Sequence, residues 1–176
     1  MRTPTLLLLA AVATVGSIGL AGLAGVAEGG RAARDEGRTA TTSSGPEARE
    51  PEALGVLHRW DRRRAGAWAT GDPVALSRLY TRGSSTGRLD VHALRRWTRR
   101  GLRVTGLRQQ VAALRVVRIG PRQLVVVVTD RTVGGIALGA GRRTPVPVGR
   151  WARHRIALVR VSGHWRVAEA RAQPAR

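Results

Sequence analysis

Three side chains in this sequence could carry acid–base chemistry if folding brought them together. Asp130 follows the apolar run 124–128, His154 shares a strand face with apolar residues, and Tyr80 is the only tyrosine. A buried carboxylate or an imidazole can act as a general base. The alternatives are structural: Asp130 would pair with one of the many arginines, and His154 would form a hydrogen bond within the core. The observation that separates the two interpretations is whether Asp130, His154 and Tyr80 line one pocket.

Arginine dominates the composition. The chain of 176 residues contains 31 basic residues, all arginine, against 11 Asp and Glu, for a net charge of +20. A basic surface attracts phosphates, and the candidates are anionic lipid headgroups or cell-wall polymers. The arginines predicted to form such a surface on helices are Arg62, Arg63, Arg95, Arg96, Arg99 and Arg100. A GC-rich genome explains the replacement of lysine by arginine without any function, and both interpretations stay open.

Other residue types exclude several kinds of site. The sequence has no cysteine, which excludes disulfides, thiolate metal ligands and thiol catalysis. The four histidines lack the spacing of metal ligands, so we predict no metal site. The glycines at 134, 135, 139 and 141 do not lead from a strand into a helix, so no phosphate-binding loop and no cofactor are predicted.

The N-terminal part of the chain predicts export. Residues 5–27 carry no charge and would span about 34 Å as a helix, and Arg2 precedes them. Positive charge before an apolar run favours a cytoplasmic N-terminus and an exported remainder. Residues 1–27 are therefore either a signal peptide cleaved near Ala27 or an uncut membrane anchor. Residues 28–52, rich in Gly, Ser, Thr and charge, predict a disordered linker, and residues 53–176 predict one domain.

The order of elements in that domain predicts an α+β fold. Apolar residues at helical spacing dominate its first half, where Asp72 and Asp90 are predicted helix N-caps. Apolar runs typical of strands dominate its second half, with a long hairpin loop at 134–149. Helices followed by meandering strands indicate an antiparallel sheet. The run 124–128 predicts a strand buried on both faces.

Two motifs resemble a known superfamily. The segment "AWATGD" at 67–72 and the closing "GHWRV" at 163–167 are similar to nuclear-transport-factor-2-like (SnoaL-like) domains, of the exported actinobacterial type without an assigned role. This resemblance, over residues 53–172, implies N-terminal helices packed on a strongly curved antiparallel sheet that forms a cone with a pocket. It also implies that Trp165 and Val167 face the core. The superfamily contains isomerases, cyclases and dehydratases as well as non-catalytic domains, so the fold alone assigns no function.

Three functions are therefore expected. The first is an exported or membrane-tethered, non-catalytic binding or assembly domain. The second is a small-molecule isomerase or cyclase of the SnoaL-like kind, with a small apolar ligand and with Asp130, His154 or Tyr80 as catalytic residues. The third is a basic module that binds anionic lipid or wall polymer. Export argues against nucleic acid as the partner.

Overall fold

The computed structural model describes residues 46–174 as helices packed on antiparallel sheets. The helices are α1 (Pro46–Thr70), α2 (Pro73–Ser77) and α3 (Ser85–Arg99). The strands are β1 (Arg103–Thr105), β2 (Arg108–Ile119), β3 (Gln123–Val133), β4 (Ile136–Gly139), β5 (Arg142–Pro145), β6 (Ala152–Val161) and β7 (His164–Gln173). The predicted signal peptide or anchor lies outside the described residues. None of the three helices within 46–174 is long and apolar enough to cross a membrane.

The strands form two antiparallel sheets. The larger has the order β2-β3-β6-β7, and the smaller has the order β1-β4-β5. Register shifts interrupt the β2–β3 pairing twice and the β6–β7 pairing once. Such bulges bend strands, which gives the larger sheet its curvature. The observed arrangement, with helices packed on a curved antiparallel sheet, confirms the predicted α+β architecture.

The segment 134–149 is not the single long loop that its glycines predict. It contains the hairpin β4–β5, whose turn passes through Ala140 and Gly141 with φ of 48° and 72°. Because the chain reverses at this turn, β4 and β5 pair with each other, and β1 pairs with the other edge of β4. The prediction of one long hairpin loop did not include these two strands, because they have only four residues each.

Helix α1 starts earlier than the predicted domain boundary. The helix begins at Pro46, so residues 46–52 belong to it and not to the predicted linker of 28–52. Ala53 and Val56 in its first half are buried in the core. This tertiary packing stabilises a helical start that propensity alone does not predict, since Pro51 lies inside the helix.

The two predicted helix caps have different outcomes. Asp72 is the N-cap of α2, and its carboxylate accepts hydrogen bonds from the backbone N–H groups of Val74 (2.8 Å) and Ala75 (2.9 Å). The prediction for Asp90 is wrong. Helix α3 begins earlier, with Ser84 as its N-cap, and Asp90 is buried within the helix, where it binds other side chains.

Strand β3 is one of the two inner strands of the larger sheet and is buried on both faces, as predicted. Leu124, Val126 and Val128 point into the main core under the helices. Val125 and Val127 point to the other face and are only 4% and 8% exposed. Neither valine belongs to the core cluster under the helices.

Candidate functional site

A cavity of about 310 Å³ lies between α1 and the concave face of the larger sheet. This volume falls at the lower end of the range for small-molecule sites. Its apolar wall includes Leu57, Trp60, Val111, Val128, Ile156 and Val167. Its polar groups include Asp61, Arg64, Tyr80, Gln109, Asp130 and His154. A mostly apolar wall with a few converging polar groups is typical of a ligand-binding site.

Asp130 and His154 form a hydrogen-bonded pair in this cavity. The β3–β6 register pairs Val128 with His154 and Asp130 with Ala152, so both polar side chains lie on the same concave face. The Nδ1 atom of His154 is 2.6 Å from Oδ1 of Asp130. The side chains are 11% and 8% exposed. The partners of Asp130 are His154 and Gln109 and not the arginine that the structural interpretation expects, whereas the hydrogen bond which that interpretation expects of His154 is present.

The pair fixes which nitrogen of His154 is available to a ligand. A carboxylate only accepts hydrogen bonds, so the neutral imidazole carries its proton on Nδ1 and leaves Nε2 as the basic atom. Within residues 46–174, Nε2 is buried and has no hydrogen-bond partner. The opposite edge of the Asp130 carboxylate is held by Gln109, whose Nε2 donates to Oδ2 at 3.1 Å.

Gln109 presents a second free acceptor. Because its amide nitrogen donates to Asp130, its amide oxygen Oε1 must point elsewhere. This oxygen is buried and has no partner in the described part of the chain. Buried polar groups are nearly always hydrogen-bonded in folded proteins. Two unpartnered polar atoms on residues that line one cavity are therefore available to bind water or a ligand.

Asp61 is a site residue that the sequence analysis did not select. Its Oδ2 accepts a hydrogen bond from the backbone N–H of Gln109 at 2.9 Å, and it lines the same cavity. Burial raises the pKa of Asp61, this hydrogen bond opposes the rise, and the charge of Asp130 adds to it. The missed signal is helical spacing: Leu57, Asp61 and Arg64 follow the i, i+4, i+7 pattern of one helix face.

Arg64 and Asp90 form a buried ion pair behind the cavity. Nε of Arg64 donates to Oδ2 of Asp90 at 2.7 Å, and Nη2 donates to Oδ1 at 2.8 Å. The indole of Trp68 donates to Oδ1 at 3.2 Å. Arg64 therefore belongs to the interior and not to a basic surface on α1. Burial raises the pKa of Asp90, but the arginine charge and the hydrogen bonds outweigh it and leave that pKa below its ordinary value.

Tyr80 lines the cavity but its hydroxyl is engaged. The hydroxyl donates to Oδ2 of Asp90 at 2.7 Å. Burial and the Asp90 charge raise the pKa of Tyr80 well above 10.0, so the phenol stays protonated. Asp130, His154 and Tyr80 thus share one cavity, as the enzyme interpretation requires, but the hydroxyl of Tyr80 is already hydrogen-bonded to Asp90.

The arginines predicted to bind anions lie on α1 and α3. Arg62, Arg63, Arg95 and Arg99 are exposed on these helices, Arg96 is half-buried, and Arg100 is the exposed C-cap of α3. Nothing in their contacts identifies a ligand. Among residues 46–174, no group of three or more histidines and carboxylates is arranged to hold a metal ion.

Comparison with known proteins bears on the fold. No family model matches the sequence, and no curated protein matches it. The intermembrane space region of chloroplast protein ARC6 superposes with a TM-score of 0.51 at 11% identity, over 72% of this chain and 97% of that chain.

Two further solved structures resemble the chain more weakly. Aln2 from a Streptomyces species has a TM-score of 0.47 and 16% identity, over 70% of this chain and 90% of its own. An NTF2-like protein with a cystatin-like fold from Novosphingobium aromaticivorans has a TM-score of 0.42 and 13% identity, over 77% and 90%. Helices packed on a curved antiparallel sheet around a cavity are the architecture that the sequence motifs implied. The structure therefore shows the fold that the resemblance to nuclear-transport-factor-2-like domains implied, with helices packed on a curved antiparallel sheet.

Proposed function

We propose that this domain is a small-molecule enzyme in which His154 is the general base. The observation that carries the proposal is the buried Asp130–His154 pair in an apolar cavity, with Nε2 of His154 left without a protein partner. A positioned base in such a site contributes about 10²–10⁴-fold to a proton-transfer reaction.

Each polar group has a separate role in this mechanism. Nε2 of His154 takes a proton from the bound molecule, and Asp130 stabilises the imidazolium that forms. Gln109 holds Asp130 in place and offers Oε1 to a donor group on the ligand. Asp61, whose pKa burial raises, stays protonated to a higher pH than an ordinary aspartate and is the candidate acid.

The cavity favours a neutral, largely apolar substrate. Arg64 lines the cavity, but Asp90 neutralises its charge, and the ionised Asp130 would repel an anion placed beside it. The two other arginines of the lining lie nearer the solvent, since Arg131 is half-buried and Arg150 is exposed. A molecule with a carbonyl group suits these residues, since removal of a proton next to the carbonyl and its return elsewhere needs only a base and an acid. The proposed reaction is therefore an isomerisation of this type. The same base and acid also suit a cyclisation, in which the carbanion attacks a second carbonyl carbon and the acid protonates its oxygen, or an elimination, in which the acid protonates the leaving group.

Solvent-exchange measurements test the proposal. Wild-type protein is incubated in D2O with a panel of neutral cyclic ketones and enones, and loss of the proton next to the carbonyl is followed by proton NMR. We expect catalysed exchange for ligands that bind, and a loss of about 100-fold or more in His154→Gln. His92→Gln, which changes an exposed histidine on α3, is the matched control. Equal exchange rates in both variants would overturn the assignment of His154.

The other expectations make different predictions for the same experiment. A non-catalytic binding domain would bind panel members in the cavity and release them with no exchange above the uncatalysed rate. Export of the domain stays a prediction from residues 5–27. N-terminal sequencing of the extracytoplasmic product tests it and distinguishes a cleaved signal peptide from an uncut anchor.

A further inference from the structure

A row of arginines crosses the outer face of the larger sheet. The register pairs Arg115 of β2 with Val127 of β3, Val127 with Arg155 of β6, and Arg155 with Arg171 of β7. Residues paired across strands lie on the same face, so Arg115, Arg155 and Arg171 (the sheet row) point away from the cavity with Val127. Adjacent strands are about 4.8 Å apart, so the row spans about 14 Å.

The sheet row is exposed and electrostatically unbalanced. All three arginines are exposed, and none forms an ion pair with a carboxylate in the described part of the chain. Arg155 lies directly opposite Arg171, and like charges in this arrangement destabilise a sheet. The row is therefore an unfavourable arrangement for the isolated protein, and a bound anion would relieve it.

The neighbouring rows add to the positive charge. Arg118 is paired with Val125 in one of them, and Arg153 is paired with Thr129 in the other. The acid on this side is Glu169, whose carboxylate accepts hydrogen bonds from the hydroxyls of Ser85 and Thr86 on α3. Glu169 is thus held towards α3, and it lies in a different row from Arg155 and Arg171. The charge of Arg171 contributes to lowering the pKa of Glu169, but the two side chains form no ion pair.

We propose that the sheet row binds a linear phosphate-bearing polyanion across the strands. Three guanidinium groups in a line suit a chain of phosphates, since arginine pairs with phosphate through parallel hydrogen bonds. A second copy of the chain does not fit, because two such faces would repel each other. A bilayer would be held by charge alone, because the valines beside the row, Val125 and Val127, are only 4% and 8% exposed and cannot insert into it.

Binding of the full chain to long-chain inorganic polyphosphate tests this site. The sheet variant Arg115→Gln/Arg155→Gln/Arg171→Gln is compared with a helix variant, Arg62→Gln/Arg63→Gln/Arg99→Gln, which removes the same charge from exposed positions on α1 and α3. We expect the sheet variant to bind at least 10-fold more weakly than the helix variant at 50 mM salt. Its thermal midpoint should equal or exceed that of wild type, because the repulsion is relieved.

The salt dependence gives a second readout. Each phosphate contact contributes about 0.7 to the slope of log affinity against log salt for a flexible polyanion, so losing three lowers the slope by about 2. Between 50 and 200 mM salt the wild type should therefore lose about 20-fold more affinity than the sheet variant. Equal losses in the two variants would show that net charge alone drives binding and would overturn the site. Absence of polyphosphate binding, or stronger binding to phosphatidylglycerol vesicles than to polyphosphate, would also overturn the proposal.

Discussion

Replacing Asp90 by asparagine should strongly destabilise the domain. Four donors converge on the Asp90 carboxylate: Nε of Arg64 and the Tyr80 hydroxyl reach Oδ2, and Nη2 of Arg64 and the Trp68 indole reach Oδ1. In Asp90→Asn, whichever way the amide turns, its NH2 group faces two of these donors. The Arg64 charge would also remain buried without a counter-charge, since the two side chains are only 9% and 2% exposed.

The expected loss is large compared with the stability of a domain. Removing one partner of a buried ion pair costs about 3–5 kcal/mol. Folded domains are stable by only about 5–15 kcal/mol in total. Asp90→Asn should therefore lower the free energy of unfolding by about 3–5 kcal/mol, or leave the domain partly unfolded at 37 °C.

Urea unfolding followed by tryptophan fluorescence measures this loss. Asp72→Asn is the matched control, because asparagine caps a helix about as well as aspartate and this site is exposed. The control should change the unfolding free energy by less than about 0.5 kcal/mol. A loss below about 1 kcal/mol in Asp90→Asn would refute the reasoning that this pair anchors α1 to α3.

The same comparison has a defined pH dependence. The pKa of Asp90 is lowered in the folded state, so its stabilising effect is present above the unfolded-state pKa of about 3.9. The effect is lost as the pH falls through the folded-state pKa. The difference between wild type and Asp90→Asn should therefore be full at pH 7 and shrink below about pH 4.

Two further predictions concern the same framework. A Cβ atom at Gly87 would lie 2.6 Å from Cβ and Cγ of buried Tyr80, so Gly87→Ala should lower the free energy of unfolding by about 1–3 kcal/mol. A Cβ atom at Gly66 on α1 meets no atom within 4 Å, so Gly66→Ala should raise the free energy of unfolding by about 0.5–1 kcal/mol. Equal thermal midpoints for the two variants would contradict the packing. The pKa of Asp61 is raised in the folded state, so its ionised form opposes folding above the unfolded-state pKa, and this penalty disappears below it. Asp61→Asn should therefore raise the thermal midpoint at pH 7 and leave it unchanged at pH 3, and a lower midpoint at pH 7 would be the opposite result.

The sequence predicts the class of fold because apolar patterning and caps are local signals. The apolar run before Asp130 predicts the buried strand β3, and Asp72 followed by proline predicts the start of α2. Asp90 was misassigned because an aspartate early in an apolar stretch looks like a cap. Its actual partner, Arg64, is 26 residues away, and charge pairing over that distance is not visible in a local pattern.

The candidate site was only partly predictable for the same reason. Asp130 and His154 were selected by type and by strand face, but their 2.6 Å contact depends on the β3–β6 register. Nothing in the sequence around Gln109 distinguishes it from a surface glutamine. Asp61 was not selected because charged residues are common on the exposed side of an arginine-rich helix. The sheet row depends on three strand registers at once, so patterning along one strand cannot reveal it.

The protonation of His154 tests the central claim most directly. Nitrogen-15 NMR of the histidine side chains, measured where the ring is neutral, distinguishes a proton on Nδ1 from one on Nε2. We predict that His154 carries its proton on Nδ1 and that Asp130→Asn weakens or reverses this preference, while exposed His92 is unaffected by the substitution. A neutral His154 with its proton on Nε2 would contradict the account, because its basic nitrogen would then face Asp130 and not a ligand.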